Sequence, residues 1–250
     1  MIAPLRSAAL AILALIAFGP AAPARAESFS DAQRGEIEQI VRGYLLAHPE
    51  LLQEVMAELE KRQTAAEAEK HREGVRQYSA AIFNSPHQVT LGNPDGDVTM
   101  VEFFDYNCGY CKRAMTDMLD LMKGDPKLRV VLKEFPVLGP GSTEAAQVAV
   151  AVRMQDKTGK KYLEFHQKLL GSRTADKARA LAAAREVGLD VSRIEKDLAS
   201  EEVKTTIEES MKVAEALGLN GTPSYVIGKD VVIGAVGLEA LKEKIDSARR

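Results

Sequence analysis

The stretch from Val98 to Leu119, VTMVEFFDYNCGYCKRAMTDML, decides the fold of this chain. It opens on an apolar run, which predicts a buried strand from Val98 to Asp105. A Cys-x-x-Cys pair, Cys108 and Cys111, comes next, and apolar residues then recur with the spacing of an amphipathic helix. The pattern predicts a strand, a tight turn and a helix, with both cysteines at the helix N-terminus.

The predicted position of the two cysteines indicates thiol chemistry. The first turn of a helix has unpaired backbone N–H groups and the positive end of the helix dipole, and both favour a thiolate over a thiol. The thiolate is the attacking species in thiol–disulfide exchange. We therefore expect Cys108, nearer the strand end, to be the exposed nucleophile. Cys111, one turn further along, is expected to be the shielded thiol that resolves a mixed disulfide.

Metal binding and a structural disulfide are the main alternatives for such a pair. A closed zinc site needs four ligands, whereas this chain has two cysteines in all and its four histidines are scattered singly. A disulfide across so short a loop would constrain the unfolded chain very little. Met115, Met118 and Met122 could bind copper through their thioethers, but their helical spacing predicts core positions. Redox chemistry is favoured, and no metal or cofactor is expected.

The first 26 residues have the features of a secretory signal peptide. Arg6 supplies a positive n-region, Leu10 to Phe18 form an apolar h-region too short to span a bilayer, and Ala24 to Ala26 are an A-x-A cleavage site. The mature protein is expected to begin near Glu27. Export also affects how the cysteines are interpreted. In an oxidising compartment, a single Cys-x-x-Cys more often catalyses disulfide exchange in other proteins than forms a structural disulfide.

The composition is that of a protein able to bury a core. With 46% hydrophobic and 28% charged residues, it falls in the ordinary range for soluble domains, and 250 residues suffice for one large domain with an appendage. A net charge of −3 gives no sign of a nucleic-acid surface. Nucleic acid is therefore not an expected partner.

Residues 27–61 predict a small module of two amphipathic helices. Ser30 to Gln33 fit a capping box, and Pro49 separates the helices because it disfavours helical geometry in the residue before it. The apolar positions form one stripe: Ile37, Ile40, Val41, Leu45, Leu52, Val55 and Leu59. So small a module cannot bury this stripe by itself, so we expect self-association, with docking on the catalytic domain as the alternative.

Residues 62–86 are polar and rich in helix formers and predict a helical linker, weakest at Gly74.

Residues 87–250 predict an α/β catalytic domain. Strands are expected at 88–91, 98–105 and 128–135, then a hairpin at 224–227 and 231–233 and a final helix at 238–248. From about 141 to 218 the chain shows helical patterns without a strand signal, with glycines where helix C-caps are expected. A strand–helix–strand unit, a helical insertion, a hairpin and a last helix predict a thioredoxin-like mixed sheet, preceded here by an N-terminal helical extension.

Three segments resemble the bacterial periplasmic disulfide-bond oxidoreductases, the Dsb family with its thioredoxin fold. They are Glu102 to Cys111, the helical insertion, and Gly221-Thr222-Pro223 before the last hairpin, and the resemblance covers roughly residues 89–250. Residues 37–52 look like the N-terminal domain of ScsC-type proteins, a Dsb branch linked to copper tolerance. The resemblance implies a periplasmic enzyme with disulfide-containing protein substrates and a membrane redox partner that resets its active site. The N-terminal extension implies a homotrimer.

The resemblance also implies roles for single residues. It makes Cys108 the nucleophile, Cys111 the resolving thiol and Pro223 a cis-proline facing them, which would turn the Thr222 backbone toward the sulfurs for pairing with a substrate strand. Glu102 lies where the family has a buried acid below the cysteines. It is either a proton acceptor for Cys111 or a carboxylate at the strand edge, and both interpretations stay open.

The residues between the cysteines, Gly109 and Tyr110, favour a disulfide isomerase. They offer no cationic side chain that would stabilise a thiolate, and together with Thr222 before the proline they resemble the isomerase branch of the family. The expected function is isomerisation of wrong disulfides in misfolded secreted proteins. A DsbA-like dithiol oxidase is the alternative, and a Cu(I)-binding copper-tolerance protein is the second, since soft thiolates favour Cu(I).

Overall fold

The computed structural model describes residues 29–156 and 158–250, so the predicted signal peptide lies outside the described residues. The elements in chain order are α1 (Asp31–Ala47), α2 (Glu50–Gln77), α3 (Ser79–Phe83), β1 (Val89–Gly92), β2 (Val98–Phe104), α4 (Gly109–Gly124), β3 (Leu128–Glu134), α5 (Pro140–Gln155), α6 (Lys160–Leu170), α7 (Lys177–Glu186), α8 (Val191–Asp197), α9 (Glu201–Ala216), β4 (Ser224–Ile227), β5 (Asp230–Ile233) and α10 (Leu238–Ala248). They fall into two compact units that divide between Glu58 and Leu59. Across the described residues, no helix is both long and apolar enough to cross a membrane.

The first unit begins with the predicted capping box. The Ser30 hydroxyl accepts a hydrogen bond from the Gln33 N–H, and the Gln33 side chain accepts one from the Ser30 N–H, at 3.3 and 2.9 Å. Helix α1 ends with His48 as its C-cap, directly before Pro49, as the proline predicts. No residue of α1 is buried. The predicted apolar stripe is exposed along its whole length, with Ile40 at 69% and Val55 at 62%.

Helix α2 continues without a break through the predicted weak point at Gly74. A Cβ built at Gly74 would lie 2.9 Å from Leu217 Cδ2 and 3.4 Å from the Ala216 carbonyl oxygen. The glycine therefore permits close packing of α2 against the end of α9, and Val75 beside it is buried. The structural reason for a glycine at this position therefore lies in a segment more than a hundred residues away.

The second unit is built on a five-stranded mixed sheet in the order β1-β3-β2-β4-β5. Strands β2 and β3 are parallel, and the other neighbouring pairs are antiparallel. The sheet, the helical insertion α5 to α9 between β3 and β4, and the N-terminal helical region confirm the predicted fold class.

Strand β2 is buried on both faces, which explains its unbroken apolar run. Met100 and Phe104 pack in the larger hydrophobic cluster, whereas Val101 and Phe103 pack in a second cluster on the opposite face. Alternation along the strand places Glu102 on the same face as Met100 and Phe104. The face that carries Glu102 is the one that also holds both cysteines.

Candidate functional site

Helix α4 places the two cysteines in different environments. Cys108 is its N-cap residue, and the Cys108 N–H donates to the Asp105 carbonyl oxygen at 3.1 Å. Cys111 lies on the buried face of the helix together with Met115 and Met118, which are core residues as predicted. Cys111 is 1% exposed and Cys108 is 6% exposed. Both thiols are therefore buried, and the expectation of an exposed Cys108 was wrong because the Thr222 carbonyl oxygen lies against its sulfur. Cys108 is still the more accessible of the two.

The loop before β4 supplies the opposite wall of the site. Strand β4 pairs antiparallel with β2, and Ser224 lies opposite Phe103. The loop before β4 therefore ends at the edge of the sheet where the chain leaves β2 for Cys108. The Thr222–Pro223 peptide bond is cis. The Cys108 thiol donates to the Thr222 carbonyl oxygen, with 3.1 Å between Sγ and O. The structure thus brings Thr222 and Cys108 into contact.

Glu102 lies on the face of β2 that holds the cysteines and affects the electrostatics of Cys111. Its side chain is 4% exposed, and burial, followed by the negative charge of Asp117, raises its pKa to about 8. Burial also raises the pKa of Cys111 far above its usual value, and the Glu102 carboxylate adds to that shift. The carboxyl ionises at the lower pH of the two, so its charge acts on a thiol that is still protonated. Cys111 is therefore a protonated thiol near neutral pH.

The two residues between the cysteines face solvent. A Cβ built at Gly109 meets no atom within 4 Å, and Tyr110 is 59% exposed. The Arg113 guanidinium carbon lies 4.4 Å from the centroid of the Tyr110 ring, within cation–π range. A cation therefore stands beside this pair although none lies between the cysteines.

Three polar residues that the sequence did not single out hold the turn leading to Cys108. Asp105 is 1% exposed, and its carboxylate accepts hydrogen bonds from the Asn107 N–H and the Ser142 hydroxyl at 2.8 and 2.7 Å. The Asn107 amide in turn pairs with the backbone of Ala175 through both its oxygen and its nitrogen, at 2.7 and 2.9 Å. The only local feature of the sequence that could have indicated this network was Asp105 itself, an aspartate directly after an apolar run. Its partners are 32 or more residues away, apart from Asn107.

A second buried polar chain lies between the sheet and the helical insertion. The Tyr106 and Tyr162 hydroxyls are 3.3 Å apart, His166 Nδ1 is 3.1 Å from the Tyr106 hydroxyl, and the Tyr162 hydroxyl donates to Glu134 at 2.9 Å. Burial lowers the pKa of His166 to about 3 and raises that of Glu134 well above its usual value. His166 is therefore uncharged near neutral pH, and burial favours the protonated form of Glu134. His166, to which the sequence assigned no role, is a satisfied core histidine.

The part of the chain that the structure describes contains no second cluster of potential metal ligands. Residues 29–156 and 158–250 contain no group of three or more His, Cys, Asp or Glu side chains placed to hold a metal ion. The donors that stand together are the two thiols of the Cys-x-x-Cys pair. The chemistry that this geometry supports is thiol–disulfide exchange, with the less deeply buried sulfur at a helix N-terminus and the more deeply buried one behind it.

Comparison with known proteins agrees with this chemistry. Residues 99–246, more than half of the chain, match the family model of the DSBA-like thioredoxin domain. The chain belongs to this family. Residues 33–66 match a second model, described as the copper resistance protein ScsC N-terminal domain. The predicted ScsC-type organisation is thereby confirmed, and the catalytic domain is that of a thiol–disulfide oxidoreductase.

Solved structures of similar proteins cover both parts of the chain. A thioredoxin-like oxidoreductase from Silicibacter pomeroyi DSS-3 is 46% identical, with a TM-score of 0.65, over 68% of this chain and 96% of that one. A linker-deletion mutant of Proteus mirabilis ScsC is 26% identical, with a TM-score of 0.66, over 90% of this chain and 98% of that one. The similarity to ScsC therefore extends through the N-terminal helices.

Among curated relatives, the probable disulfide bond formation protein D of Bacillus cereus is 26% identical over 178 residues, which are 66% of this chain and 80% of that protein. The chain also matches Na(+)/H(+) antiporters named NhaA, of which it spans about a quarter, 24% in the Salinispora arenicola protein.

Proposed function

We propose that this protein is a periplasmic disulfide isomerase that works as a homotrimer, and that Cys108 and Cys111 are its redox pair. Its substrates are misfolded secreted proteins with wrong disulfides, and a membrane redox partner keeps its thiols reduced. Residues 1–26 are the signal peptide, 27–61 the oligomerisation module, 62–86 the helical linker and 87–250 the catalytic domain. No cofactor takes part.

The proposed reaction conserves disulfides. The Cys108 thiolate attacks one sulfur of a substrate disulfide; an S–S bond forms between Cys108 and the substrate, the substrate S–S bond breaks, and the other substrate sulfur leaves as a thiolate. A second substrate thiolate then attacks the mixed disulfide, which creates a new substrate disulfide and restores the Cys108 thiolate. Cys111 provides the other exit, in which it displaces the reduced substrate and forms a disulfide with Cys108.

The unlike environments of the two thiols support these roles. Cys108 stands at the N-terminus of α4 against the Thr222 carbonyl oxygen, where an extended polypeptide paired with the Thr222 backbone would lie against the attacking sulfur. Cys111 is buried and protonated, so its attack on a mixed disulfide requires that a base first remove its proton. If Cys111 releases the substrate slowly, a second substrate thiol has time to attack the mixed disulfide. This contrast is the observation that favours the isomerase exit.

The exposed stripe on the first unit supports self-association. Helix α1 buries none of its residues, and Ile40, Val41, Tyr44 and Leu46 are each more than half exposed. Contiguous exposed apolar surface of this kind marks an interaction site, and a second copy of the same module offers a matching stripe. Several reduced active sites held in one assembly would raise the effective concentration of thiols around a trapped substrate.

A redox-state measurement together with a refolding assay tests the proposal. An isomerase must be kept reduced in its own compartment, so alkylation of cell extracts at low pH should find Cys108 and Cys111 mostly as thiols. The purified reduced protein should restore activity to a scrambled-disulfide substrate in the absence of added oxidant. A pair found oxidised in cells, combined with no gain on the scrambled substrate, would overturn the isomerase in favour of an oxidase.

The DsbA-like oxidase is a second candidate, favoured by the similarity to disulfide bond formation protein D. In that function the Cys108–Cys111 disulfide is passed to a reduced substrate, which becomes oxidised as the pair becomes two thiols. The same assays separate the two functions, because an oxidase acts on reduced peptides and leaves a fully oxidised, scrambled substrate unchanged.

Cu(I) binding is a third candidate, favoured by the description of the model that matches residues 33–66. That segment contains no cysteine, one histidine, His48, and one methionine, Met56, so thiolate ligands for Cu(I) would have to come from the Cys-x-x-Cys pair. Titration of the reduced protein with Cu(I) against a competing chelator tests this function. Binding that survives replacement of both cysteines would place the metal elsewhere.

A further inference from the structure

Asn107, the residue before Cys108, is bound to the loop between α6 and α7. Its amide oxygen accepts a hydrogen bond from the Ala175 N–H at 2.7 Å. Its amide nitrogen donates to the Ala175 carbonyl oxygen at 2.9 Å and to the Ser142 hydroxyl at 3.0 Å. Ala175 is buried, so little water competes for these bonds. The chain is therefore fixed at the point where it enters α4.

Lys112, the residue after Cys111, is bound to the same loop. Its ammonium group donates to the Ser172 carbonyl oxygen at 2.6 Å and to the Arg173 carbonyl oxygen at 3.1 Å. Both carbonyl groups follow the C-terminus of α6, where a cation is favourable. The first full turn of α4 is therefore held at its far end as well.

The two residues occupy positions that are paired in many helices. Because Cys108 is the N-cap of α4, Asn107 is the position before the cap and Lys112 is the fourth position after it. Apolar residues at these two positions often pack together and fix the angle at which the chain enters the helix. Here hydrogen bonds through residues 172–175 join the same positions. Asn107, Lys112 and residues 172–175 thus form a polar staple across the turn that carries both cysteines.

Gly141, near the start of α5, leaves room for the polar staple. A Cβ built at Gly141 would lie 2.8 Å from the Ala175 carbonyl oxygen and 3.8 Å from Asn107 Nδ2. Real Cβ atoms essentially never come within 3.0 Å of another heavy atom. Any side chain at position 141 would therefore displace the loop from Asn107.

We propose that Asn107 and Lys112 are positioning residues for the step in which Cys111 attacks the mixed disulfide at Cys108. In that step an S–S bond forms between Cys111 and Cys108, and the bond between Cys108 and the substrate breaks. The substrate sulfur leaves as a thiolate, and the Cys111 proton passes to a base. This inference rests on the proposed function, in which Cys108 attacks a substrate disulfide and Cys111 resolves the product.

The internal step depends on the turn more strongly than the first attack does. Disulfide-bonded cysteines have Cα atoms about 4.4–6.8 Å apart, so Cys111 and Cys108 can react only in a restricted geometry. A misplacement of about 1 Å can cost about a hundredfold in rate. The first attack involves a single sulfur of the protein, that of Cys108, and therefore tolerates a looser turn.

A symmetrical aromatic disulfide with a coloured thiolate measures both steps in one single-turnover experiment. One coloured thiolate leaves when Cys108 attacks the reagent, at a rate that rises with the reagent concentration. The second leaves when Cys111 displaces the mixed disulfide, at a rate independent of that concentration. In Asn107→Ala and Lys112→Met we expect the second phase to slow about tenfold while the first stays within about twofold of the native rate.

Three further variants separate positioning from charge. Gly141→Ala should also slow the second phase, because it displaces the loop without changing a charge or a hydrogen-bonding side chain. Lys112→Arg keeps the charge and the donors and should restore most of the rate lost in Lys112→Met. The double variant Asn107→Ala/Lys112→Met should be no slower than the slower of its two parents, because both changes open one staple.

Lys123→Met and Gly124→Ala are the matched controls on the same helix. Lys123 is exposed in the last turn of α4, and a Cβ built at Gly124 meets no atom within 4 Å. Both variants should leave both phases unchanged. If Asn107→Ala fails to fold, Lys112→Met and Gly141→Ala still decide the matter.

The outcomes separate this inference from the proposed function. A native protein that releases no coloured thiolate, or a Cys108→Ala variant that releases it as fast as the native protein, refutes the chemistry at Cys108 itself. A native protein with both phases, together with an unchanged second phase in Lys112→Met and Gly141→Ala, refutes the polar staple alone. The polar staple is also refuted if both phases slow equally, or if Lys112→Met alone is slow, because that result is an effect of charge.

Discussion

The thiol of Cys108 donates a hydrogen bond to the carbonyl oxygen of Thr222, across 114 positions of sequence. One partner is the N-cap of α4, and the other lies in the loop that precedes β4. Because β2 and β4 are hydrogen-bonded neighbours, the central sheet brings the two segments together. The site is therefore only as well ordered as the pairing of these two strands.

Single replacements of the cysteines should have different effects. We expect Cys108→Ala to abolish exchange, because it removes the attacking sulfur, and Cys111→Ala to accumulate mixed disulfides, because it removes the internal exit. Non-reducing electrophoresis and mass spectrometry of the protein incubated with a disulfide substrate would detect the adducts. If Cys108→Ala also forms adducts, through Cys111, the assignment of the nucleophile is reversed.

The sequence predicted those features of the site that depend on local patterns. The apolar run of β2 and the helical spacing of α4 are each contained in a short window, so they placed Cys108 and Cys111 correctly at a helix N-terminus. The network around Asp105 could not be predicted, because Val137 and Leu138, whose N–H groups donate to the Asp105 carboxylate, become its neighbours only when β3 pairs with β2. The packing of Gly74 could not be predicted for the same reason, since its partner Leu217 lies 143 residues further along the chain.

Stability should depend on pH through Glu102. Its pKa of about 8 in the folded protein exceeds the value of about 4.3 in an unfolded chain. Between these values the folded state keeps a proton that the unfolded state has released, so stability falls as the pH rises from about 4 to about 8. Glu102→Gln removes this loss and should raise the free energy of unfolding at pH 8 by a few kcal/mol, on the order that linkage gives.

Denaturant titrations of both proteins at pH 4 and pH 8 measure this effect. The difference between Glu102→Gln and the native protein should shrink toward zero at pH 4, where the native carboxyl is protonated in both states. An equal gain at both pH values would come from packing instead of titration and would contradict the raised pKa.

The same replacement tests whether Glu102 is the proton acceptor for Cys111. If the carboxylate accepts the Cys111 proton, Glu102→Gln should slow the breakdown of a mixed disulfide at Cys108 by at least about tenfold, below the usual range for a lost general base. If the carboxylate acts only through its charge, which raises the pKa of Cys111, the same variant should accelerate the breakdown. Single-turnover measurement of peptide release from Cys108 near pH 8 gives the sign.

Acid should destabilise the protein through His166. Burial lowers its pKa to about 3, compared with about 6.5 in an unfolded chain. As the pH falls through this window the unfolded state gains a proton that the folded state does not, so stability is lost. His166→Gln does not titrate and retains an amide that can bond the Tyr106 hydroxyl. Its free energy of unfolding should therefore fall less between pH 7.5 and pH 4, with the value at pH 7.5 giving the packing cost. If the free energy of unfolding falls by the same amount in both proteins, His166 is not the cause of the acid destabilisation.

The last prediction concerns the exposed stripe on the first unit. Residues Ile40 and Val55 are 69% and 62% exposed, so Ile40→Lys/Val55→Lys should not disturb the fold of one chain, but it would place charges in an apolar interface between copies. We expect the mature protein to be an oligomer by light scattering and this variant, like a deletion of residues 27–61, to be a monomer. The monomer should lose activity on a scrambled substrate and gain activity as an oxidant of reduced peptides, because its thiols no longer share a substrate and are open to reoxidation.

Gln39→Lys/Gln53→Lys adds the same charges at neighbouring exposed positions of the same helices and should leave both the assembly and the isomerase activity intact. A monomeric native protein would exclude the oligomer, and a monomeric variant with full isomerase activity would separate the reaction from the assembly.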